Sequence, residues 1–453
     1  MARLFGTDGV RGVAITELTC ELAMNIGRAL AATVQKNTPD YVTPLVLIGK
    51  DTRLSSDILE SALIAGLTSV GCDVRTIGVV PTHAVAFLIK SYDADAGVMI
   101  TASHNSAEFN GIKLFNKEGF KFPDEQEDEM EKLIHAAASI PLKEGNQVGR
   151  LTRMENEDGA LLYKKKLAEL VNGKSNLKIL IDCANGSASE MCAFLKTLSD
   201  NCTVINCSFD GKDINNNCGS TYIDNLAKQV VAEKYDLGLA FDGDADRLLA
   251  VDNLGNVVDG DKIIALLSCY MKEQGKLNND TAVVTVMSNL GFHMYMKQKG
   301  IKTEVVQVGD RYVLEKMVEC NYGIGGEQSG HIIFVEHATT GDGLITAVML
   351  VNMLNDKGVQ LSELAAEIPS LPQVLRGVTI SADKKGTWST NAAITSVIAE
   401  IEKAANVESG ESRILIRESG TEPLLRVMIE GKNQSDIEKW AEQICAIAKS
   451  ELS

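Results

Sequence analysis

Asp242, Asp244 and Asp246 stand at alternate positions directly after the apolar run 237–241. In extended backbone, alternate side chains share one face. Three carboxylates on one face repel one another unless a cation joins them. An all-oxygen donor set suits Mg2+, Mn2+ or Ca2+ and not zinc, and Mg2+ is favoured because it usually keeps positions open for a phosphate oxygen. The run begins like a calcium-binding helix–loop–helix loop, but Arg247 stands where that loop needs glycine and Asn253 where it needs glutamate. A solvated acidic turn is the competing reading; Arg247, beside the aspartates, weighs against it.

Ser103 follows a second apolar run, 96–100, in Thr101-Ala102-Ser103-His104-Asn105. Loop serines are most often caps or turn formers. The hydrolase options are weak: the chain has no Gly-x-Ser-x-Gly elbow, and His104, next in sequence, need not reach Ser103 as a base. Beside a metal site, a serine makes better sense as a phosphate carrier. Its phosphoester oxygen would complete the metal shell, and the metal would offset charge in phosphoryl transfer. Lys113 offers a charge or a titratable proton, and His331 ends a third polar loop, 325–331; a surface charge and a structural histidine are their plainer readings. Near the C-terminus, Arg417-Glu418-Ser419-Gly420-Thr421 sets a guanidinium and two hydroxyls around a glycine. Glycine lets backbone N–H groups approach an anion, and arginine can hold phosphate through two parallel bonds. The alternative there is a hairpin turn with a surface arginine. Neither a P-loop nor a Gly-x-Gly-x-x-Gly opening a helix after a strand is present, which argues against NTPase and dinucleotide chemistry.

These loops need elements to hold them. Three stretches each read strand, helix, strand, helix, strand and then a polar loop. The first spans 44–49, 55–70 with Gly71 as the stop, 74–79, a helix after Pro81, and 96–100. The second spans 177–182, 187–198, 203–207, 222–235 and 237–241; the third spans 282–286, 291–299, 303–308, 311–320 and the loop 325–331. Such alternation implies parallel or mixed α/β sheets, whose ligands sit beyond the carboxyl ends of strands. In each copy that position holds the most polar, glycine-rich segment, so three loops are expected to share one cleft. The tail, 376–380, 390–404, 413–417, 424–429 and 435–449, reads β-α-β-β-α with the last two strands antiparallel. Linkers are expected near 141–156, 252–260 and 369–374.

The 453 residues carry 44 Lys plus Arg against 61 Asp plus Glu, a net charge of −17. That argues against nucleic acid or an anionic membrane as the main partner. No apolar stretch approaches the ~20 residues of a membrane helix, and no targeting segment opens the chain. The ten cysteines include no Cys-x-x-Cys pair; they read as reduced thiols of a cytoplasmic protein, with a zinc site the weaker alternative.

Taken in order, Gly6-Thr7-Asp8-Gly9-Val10-Arg11-Gly12, the serine loop, 242–247, 325–331 and 417–426 resemble the α-D-phosphohexomutase superfamily along nearly the whole chain. Gln328, where the phosphomannomutase/phosphoglucomutase branch carries methionine, is similar to the glucosamine branch, as are Asn217-Cys218-Gly219-Ser220-Thr221 and Val308-Gly309-Asp310-Arg311-Tyr312. The resemblance implies three similar mixed-sheet α/β domains, 1–150, 151–255 and 256–370, and a C-terminal α+β domain, 371–453, of the TATA-binding-protein-like kind, around one central cleft. It implies interconversion of glucosamine 6-phosphate and glucosamine 1-phosphate through a 1,6-bisphosphate, which also primes the enzyme. Phosphomannomutase/phosphoglucomutase activity or a metal-dependent sugar phosphatase are the alternatives. By this resemblance Ser103 is the phosphorylated residue and holds Mg2+ with Asp242, Asp244 and Asp246. Arg11, His104, Lys113, Arg247 and His331 stand near the transferring group, with Lys113 and His331 as candidates for proton transfer. Glu327 and Ser329 contact sugar hydroxyls, while Arg417, Ser419, Gly420, Thr421 and Arg426 hold the unreactive phosphate. Hexosamine phosphates are the implied partners, and a homodimer is compatible with the family. One departure stands out: the family usually has proline after the serine-loop asparagine, where this chain has Ser106, and losing that ring frees the loop backbone.

Overall fold

The computed structural model describes residues 3–6, 8–39, 42–154, 158–419 and 423–453. Short, fully apolar runs form the central strands of its sheets. The first sheet contains β1 (Val10–Val13), β2 (Leu45–Lys50), β3 (Asp73–Val79), β4 (Ala96–Ile100), β5 (Phe109–Asn116) and β6 (Leu151–Arg153), in the order β1-β5-β4-β2-β3-β6. β2 runs parallel to β3 and β4, while β5 returns antiparallel to β4. Val46, Ile48, Val98 and Ile100 share a core with Ile26, Leu30, Leu63 and Leu67 of two helices, Cys20–Asn37 and Leu54–Val70. The second helix stops as expected at Gly71, whose φ of 100° is left-handed and whose N–H reaches back to Leu67 and Thr68.

The second sheet holds β7 (Ser175–Asp182), β8 (Ser199–Ile205), β9 (Leu237–Phe241), β10 (Leu248–Asp252) and β11 (Val257–Val258), in the order β11-β10-β9-β7-β8. The helix expected over 187–198 is a 3-10 turn, Ser187–Met191, followed by a single α turn, Cys192–Leu195. Serines compete poorly for helix interiors, and the Ser187 N–H is drawn instead to the Gly243 carbonyl, at 2.8 Å. β8 starts earlier than its apolar residues suggested, because it is an edge strand whose first residues are polar. The stretch 252–260, expected as a linker, is a hairpin: β10 pairs with β11, and the Asp252 carboxylate accepts from the Leu254 and Asn256 N–H groups at 2.9 Å.

The third sheet contains β12 (Thr281–Thr285), β13 (Lys302–Val306), β14 (Ile324–Gly326) and β15 (Ile332–Phe334), in the order β13-β12-β14-β15. In all three sheets the last parallel strand is followed by an antiparallel return: β4 to β5, β9 to β10, β14 to β15. The three polar loops are the bends of these returns. The fourth sheet is antiparallel, β16 (Gln373–Thr379), β17 (Ser412–Glu418) and β18 (Leu424–Gly431), in the order β16-β18-β17. Helices Ala392–Ala404 and Gln434–Leu452 complete the expected β-α-β-β-α series, with Val427, Ile429, Ile437 and Ile444 in its core.

The chain divides into two compact units, residues 1–287 with 301–366, and Ser288–Gly300 with Glu367–Ser453. The helix Leu290–Gln298 therefore belongs with the terminal sheet. Asn289 caps it and exchanges hydrogen bonds with Leu371 at 2.9 and 3.0 Å. The ten cysteines are free thiols. Among the described residues no helix is long and apolar enough to cross a membrane.

Candidate active site

The serine loop bends between β4 and β5. Ser103 is buried, and its backbone takes the left-handed conformation, φ 51°. A non-glycine residue there is uncommon and is held by its surroundings. Two side chains hold it. Arg53 donates to the carbonyls of Ser103 at 3.0 Å, Asn105 at 2.7 Å and Phe109 at 3.0 Å, and also to that of Ser106. Asn215 Nδ2 donates to the Ser103 and Asn105 carbonyls at 2.8 and 2.9 Å. Arg53 is itself fixed by Asp51, with Nε to Oδ2 at 2.9 Å. So pinned, Ser103 Oγ donates to Asp242 Oδ2 at 2.7 Å. His104 Nδ1 lies 3.4 Å from Ser103 Oγ. Burial, then Arg247 and Arg11, pull the His104 ring down to about 4, so it is neutral near pH 7.

The aspartates do not lie in extended backbone as the alternation suggested. The loop turns after β9, and Ala245 takes φ 57°. The turn still gathers the carboxylates: one oxygen from each of Asp242, Asp244 and Asp246 falls within 4.8 Å of the others. All three are buried, and Asp244 Oδ1 and Asp246 Oδ1 have no hydrogen-bond partner. Burial and the charges of Asp246 and Asp244 push the Asp242 carboxyl well above the usual range. Orphaned buried carboxylate oxygens around a repelling cluster fit a hard divalent cation. Gly243 makes the approach to the serine loop feasible, since a Cβ there would lie 2.5 Å from the Ser103 carbonyl oxygen.

Lys113, on β5 opposite Met99, reaches the cluster from the other side. Its Nζ lies 2.8 Å from Asp244, 3.2 Å from Asp246 and 3.2 Å from Asp8. Burial opposes its charge, but Asp244, Asp8 and Asp246 outweigh it and raise its pKa well above the ordinary value. Asp8 also binds Arg11, on β1, and Lys121 at 2.7 Å; Lys121 in turn binds Asp310 at 2.6 Å. His331 closes the chain of charges, Nδ1 3.6 Å from Asp246 and Nε2 3.4 Å from Asp310. The carboxylates raise its basicity against burial, while the Gly341 N–H, donating to Nε2 at 3.0 Å, opposes a second proton.

Arg247 joins two loops. Its backbone bridges His331, and its Nε lies 3.8 Å from Asp246 Oδ1. Glu327 accepts from the Gly309 N–H at 3.2 Å, and Ser329 is exposed. Ser103, His104, Arg11, Lys113, the three aspartates, Arg247 and the 327–331 loop are thus brought together. Arg417 and Arg426 lie in the terminal unit, directly opposite each other on β17 and β18, and Ser419 is buried beside them. Burial and Arg426 lower the Arg417 pKa. Gly420 and Thr421 lie outside the described residues.

Sequence reasoning missed the residues that hold the site: Arg53, Asn215, and Thr82, whose Oγ1 donates to Asp244 Oδ2 at 2.6 Å. The available signal was position. Asp51-Thr52-Arg53 follows β2 at the same carboxyl edge of the sheet as the serine loop.

Four family models match in sequence order: phosphoglucomutase/phosphomannomutase alpha/beta/alpha domain I over residues 2–140, domain II over 162–255, domain III over 259–371 and the C-terminal domain over 379–447. The chain belongs to the phosphoglucomutase/phosphomannomutase family, a family of isomerases that move phosphoryl groups. Phosphoglucosamine mutase of Caldicellulosiruptor bescii is 49% identical, with 100% of each chain covered. Two crystal structures share the fold. A phosphoglucomutase/phosphomannomutase family protein of Burkholderia thailandensis has TM-score 0.79 at 22% identity, covering 99% of this chain and 98% of that one. N-acetylphosphoglucosamine mutase of Aspergillus fumigatus, in complex with GlcNAc-6P and magnesium, has TM-score 0.70 at 18% identity, covering 100% and 96%.

Proposed function

We propose that the chain interconverts glucosamine 6-phosphate and glucosamine 1-phosphate in the cytoplasm, with Ser103 as a phosphate carrier. The observation that carries this reading is Ser103 Oγ, buried 2.7 Å from one of three clustered carboxylates, in a chain 49% identical to a phosphoglucosamine mutase over its full length.

In this reading the free hydroxyl of the sugar phosphate attacks the phosphorus of phosphoserine 103, the bond from phosphorus to Oγ breaks, and a 1,6-bisphosphate forms. The bisphosphate turns over, and its other phosphate returns to Ser103. The covalent relay replaces direct transfer between two distant oxygens. Mg2+ held by Asp242, Asp244, Asp246 and a phosphoserine oxygen would neutralise charge on the transferring group. Lys113, kept as an ammonium by its three aspartates, donates a proton to the departing Oγ and takes up the one that the attacking hydroxyl loses. His331, whose Nε2 already accepts from Gly341, orients Asp246. Arg11 and Arg247 face the phosphoryl oxygens, and His104 stays neutral beside them. Glu327 and Ser329 meet sugar hydroxyls, and Arg417, Ser419, Gly420, Thr421 and Arg426 hold the phosphate that is not reacting. The domains so defined are 1–150, 151–255, 256–370 and 371–453.

Two measurements test the reading. Incubation with a sugar 1,6-bisphosphate, followed by peptide mapping, is expected to place one phosphate on Ser103. Ser103→Ala is expected to bind sugar phosphates but lose turnover on glucosamine 6-phosphate; retained turnover refutes the relay. Higher rates on glucose or mannose phosphates would move the assignment to the neighbouring branch, and steady release of inorganic phosphate to a phosphatase.

A further inference from the structure

Lys121 takes no part in the proposed transfer, yet it stands where two routes to the metal loop meet. Its place is fixed by the return of β5. The turn after Asn116 is closed by the Gly119 N–H on the Asn116 carbonyl at 2.9 Å and the Phe120 N–H on Asn116 Oδ1 at 2.9 Å, and Lys121 then bridges back to Phe115. The turn is wedged from both sides. Thr339 Oγ1 donates to the Gly119 carbonyl at 2.6 Å, and Gly119, at φ 76°, leaves no room for a Cβ, which would fall 2.7 Å from the Ala86 oxygen. The side chain so based is 15% exposed.

Its ammonium holds two carboxylates at once, Asp8 Oδ1 at 2.7 Å and Asp310 Oδ2 at 2.6 Å. Each of these carboxylates also meets a group of the candidate site. Asp8 turns its other oxygen, Oδ2, to Arg11 and, at 3.2 Å, to Lys113. The backbone beside Asp8 presses on the same strand: a Cβ on Gly9 would lie 2.3 Å from the Ile112 oxygen and 3.1 Å from Lys113 Cα. Asp310 opens the helix Asp310–Cys320, and its Oδ2 lies 3.4 Å from His331 Nε2. Lys113 and His331 both reach Asp246 Oδ2, at 3.2 and 3.6 Å. Asp8, Lys121, Asp310, His331, Asp246 and Lys113 thus close a ring in which Lys121 stands opposite Asp246.

The plainer role for Lys121 is to neutralise Asp310, but the geometry asks more of it. His331 Nε2 already accepts from the Gly341 N–H at 3.0 Å. It has no proton to offer Asp310, and two acceptors at that separation repel. Lys121, on the same Asp310 oxygen, offsets the repulsion and keeps the carboxylate in place. At Asp8 the constraint is rotational. The carboxylate torsion of aspartate is soft, and a hydrogen bond on Oδ1 stops it from turning Oδ2 away from Arg11 and Lys113. Burial opposes the charge on Lys121, but Asp310 and Asp8 outweigh it and raise its pKa above the ordinary lysine value.

We propose that Lys121 is a positioning residue for phosphoryl transfer: by tying Asp8 to Asp310 it keeps Lys113 and Arg11 aimed at the transferring group and His331 aimed at Asp246. It touches no substrate and exchanges no proton. The proposal rests on the mutase reading, in which Lys113 and Arg11 serve that group.

The test uses the full chain with Mg2+, primed with a sugar 1,6-bisphosphate. Lys121→Met keeps the unbranched apolar stem and removes the charge. Its kcat on glucosamine 6-phosphate is expected to fall by about 10–100-fold, up to the scale of a misplacement near 1 Å. KM is expected to stay within about threefold, since the ring holds neither Arg417 nor Arg426. A merely structural lysine would lower the melting temperature and leave both constants of the folded protein unchanged. Lys121→Met/Asp310→Asn, which loses one charge of each sign, is compared with Asp310→Asn alone, so that the charge of Asp310 no longer enters. The double variant is expected to have a kcat well below that of Asp310→Asn, because Asp8 still lacks its tie. Equal rates would show that Lys121 serves only the charge of Asp310, and would overturn the proposal. So would an unchanged kcat in Lys121→Met or a loss confined to KM. If Lys121→Met does not fold, the comparison between the charge-balanced double variant and Asp310→Asn decides. A parent that does not turn over glucosamine 6-phosphate refutes the mutase reading and the proposal with it; an active parent with an equally active Lys121→Met refutes the proposal alone.

Discussion

Lys113 has two duties that can be told apart. It neutralises Asp244, Asp246 and Asp8 in a buried place, and in the proposed relay it would carry the proton. Removing one partner of a buried charge cluster leaves the others uncompensated, at about 3–5 kcal/mol. Lys113→Ala is therefore expected to lower the melting temperature without metal and to cut kcat by about 100-fold or more, the usual scale of a proton-transfer group. Saturating Mg2+ should recover most of the stability, since a cation can replace the charge, but not the rate; a recovered rate would remove Lys113 from proton transfer. His83 gives a different signature. It is buried against Tyr163 and lies 3.8 Å from Asp342. Burial, only partly offset by Asp342, lowers its pKa. A base with a depressed folded pKa binds fewer protons when folded, so stability falls as pH drops below the unfolded value near ~6.5. His83→Phe is expected to lose part of the decline in melting temperature between about pH 7.5 and 5.5 that the parent shows; parallel declines would place the titration elsewhere.

At the scale of elements, the candidate site is made where two bends meet. Gly243 in one approaches Ser103 in the other so closely that a methyl group would strike the serine carbonyl at 2.5 Å and Asn215 Nδ2 at 2.8 Å. Gly243→Ala is expected to cost about 1–3 kcal/mol as overpacking and to lower kcat far more than it raises KM. A fully active variant would show that the approach is not needed. The same bends explain what the sequence could tell. The three apolar modules were legible because buried parallel strands are short and continuous. The antiparallel returns were not, because β5, β10 and β15 begin in or beside the polar motifs and read as their continuation. The aspartate cluster was legible by residue type, although its geometry comes from a turn with Ala245 in the left-handed region and not from alternation. Arg53 and Asn215 were invisible because their partners are backbone carbonyls 50 or more positions away, and a carbonyl leaves no mark on sequence.

At the scale of the whole molecule, the terminal unit is discontinuous. The helix Leu290–Gln298 is more than 70 positions from the sheet it joins, and Gly291 lies against the Pro369 carbonyl, where a Cβ would fall 2.0 Å away. Glu430, buried on β18, accepts from the Leu290 N–H. A fragment of 367–453 alone is therefore expected to melt broadly by circular dichroism, and one with 288–300 appended through a flexible linker to melt cooperatively. Equal cooperativity in the two would show that the helix is a passenger. Folding order bears on chemistry as well. The stiffness that a proline would have built into the serine loop from synthesis is supplied here by Arg53, which collects four carbonyls only once β2 and the bend after β4 lie side by side. A chain in which those two segments have not yet met thus lacks the clamp that fixes the bend around Ser103.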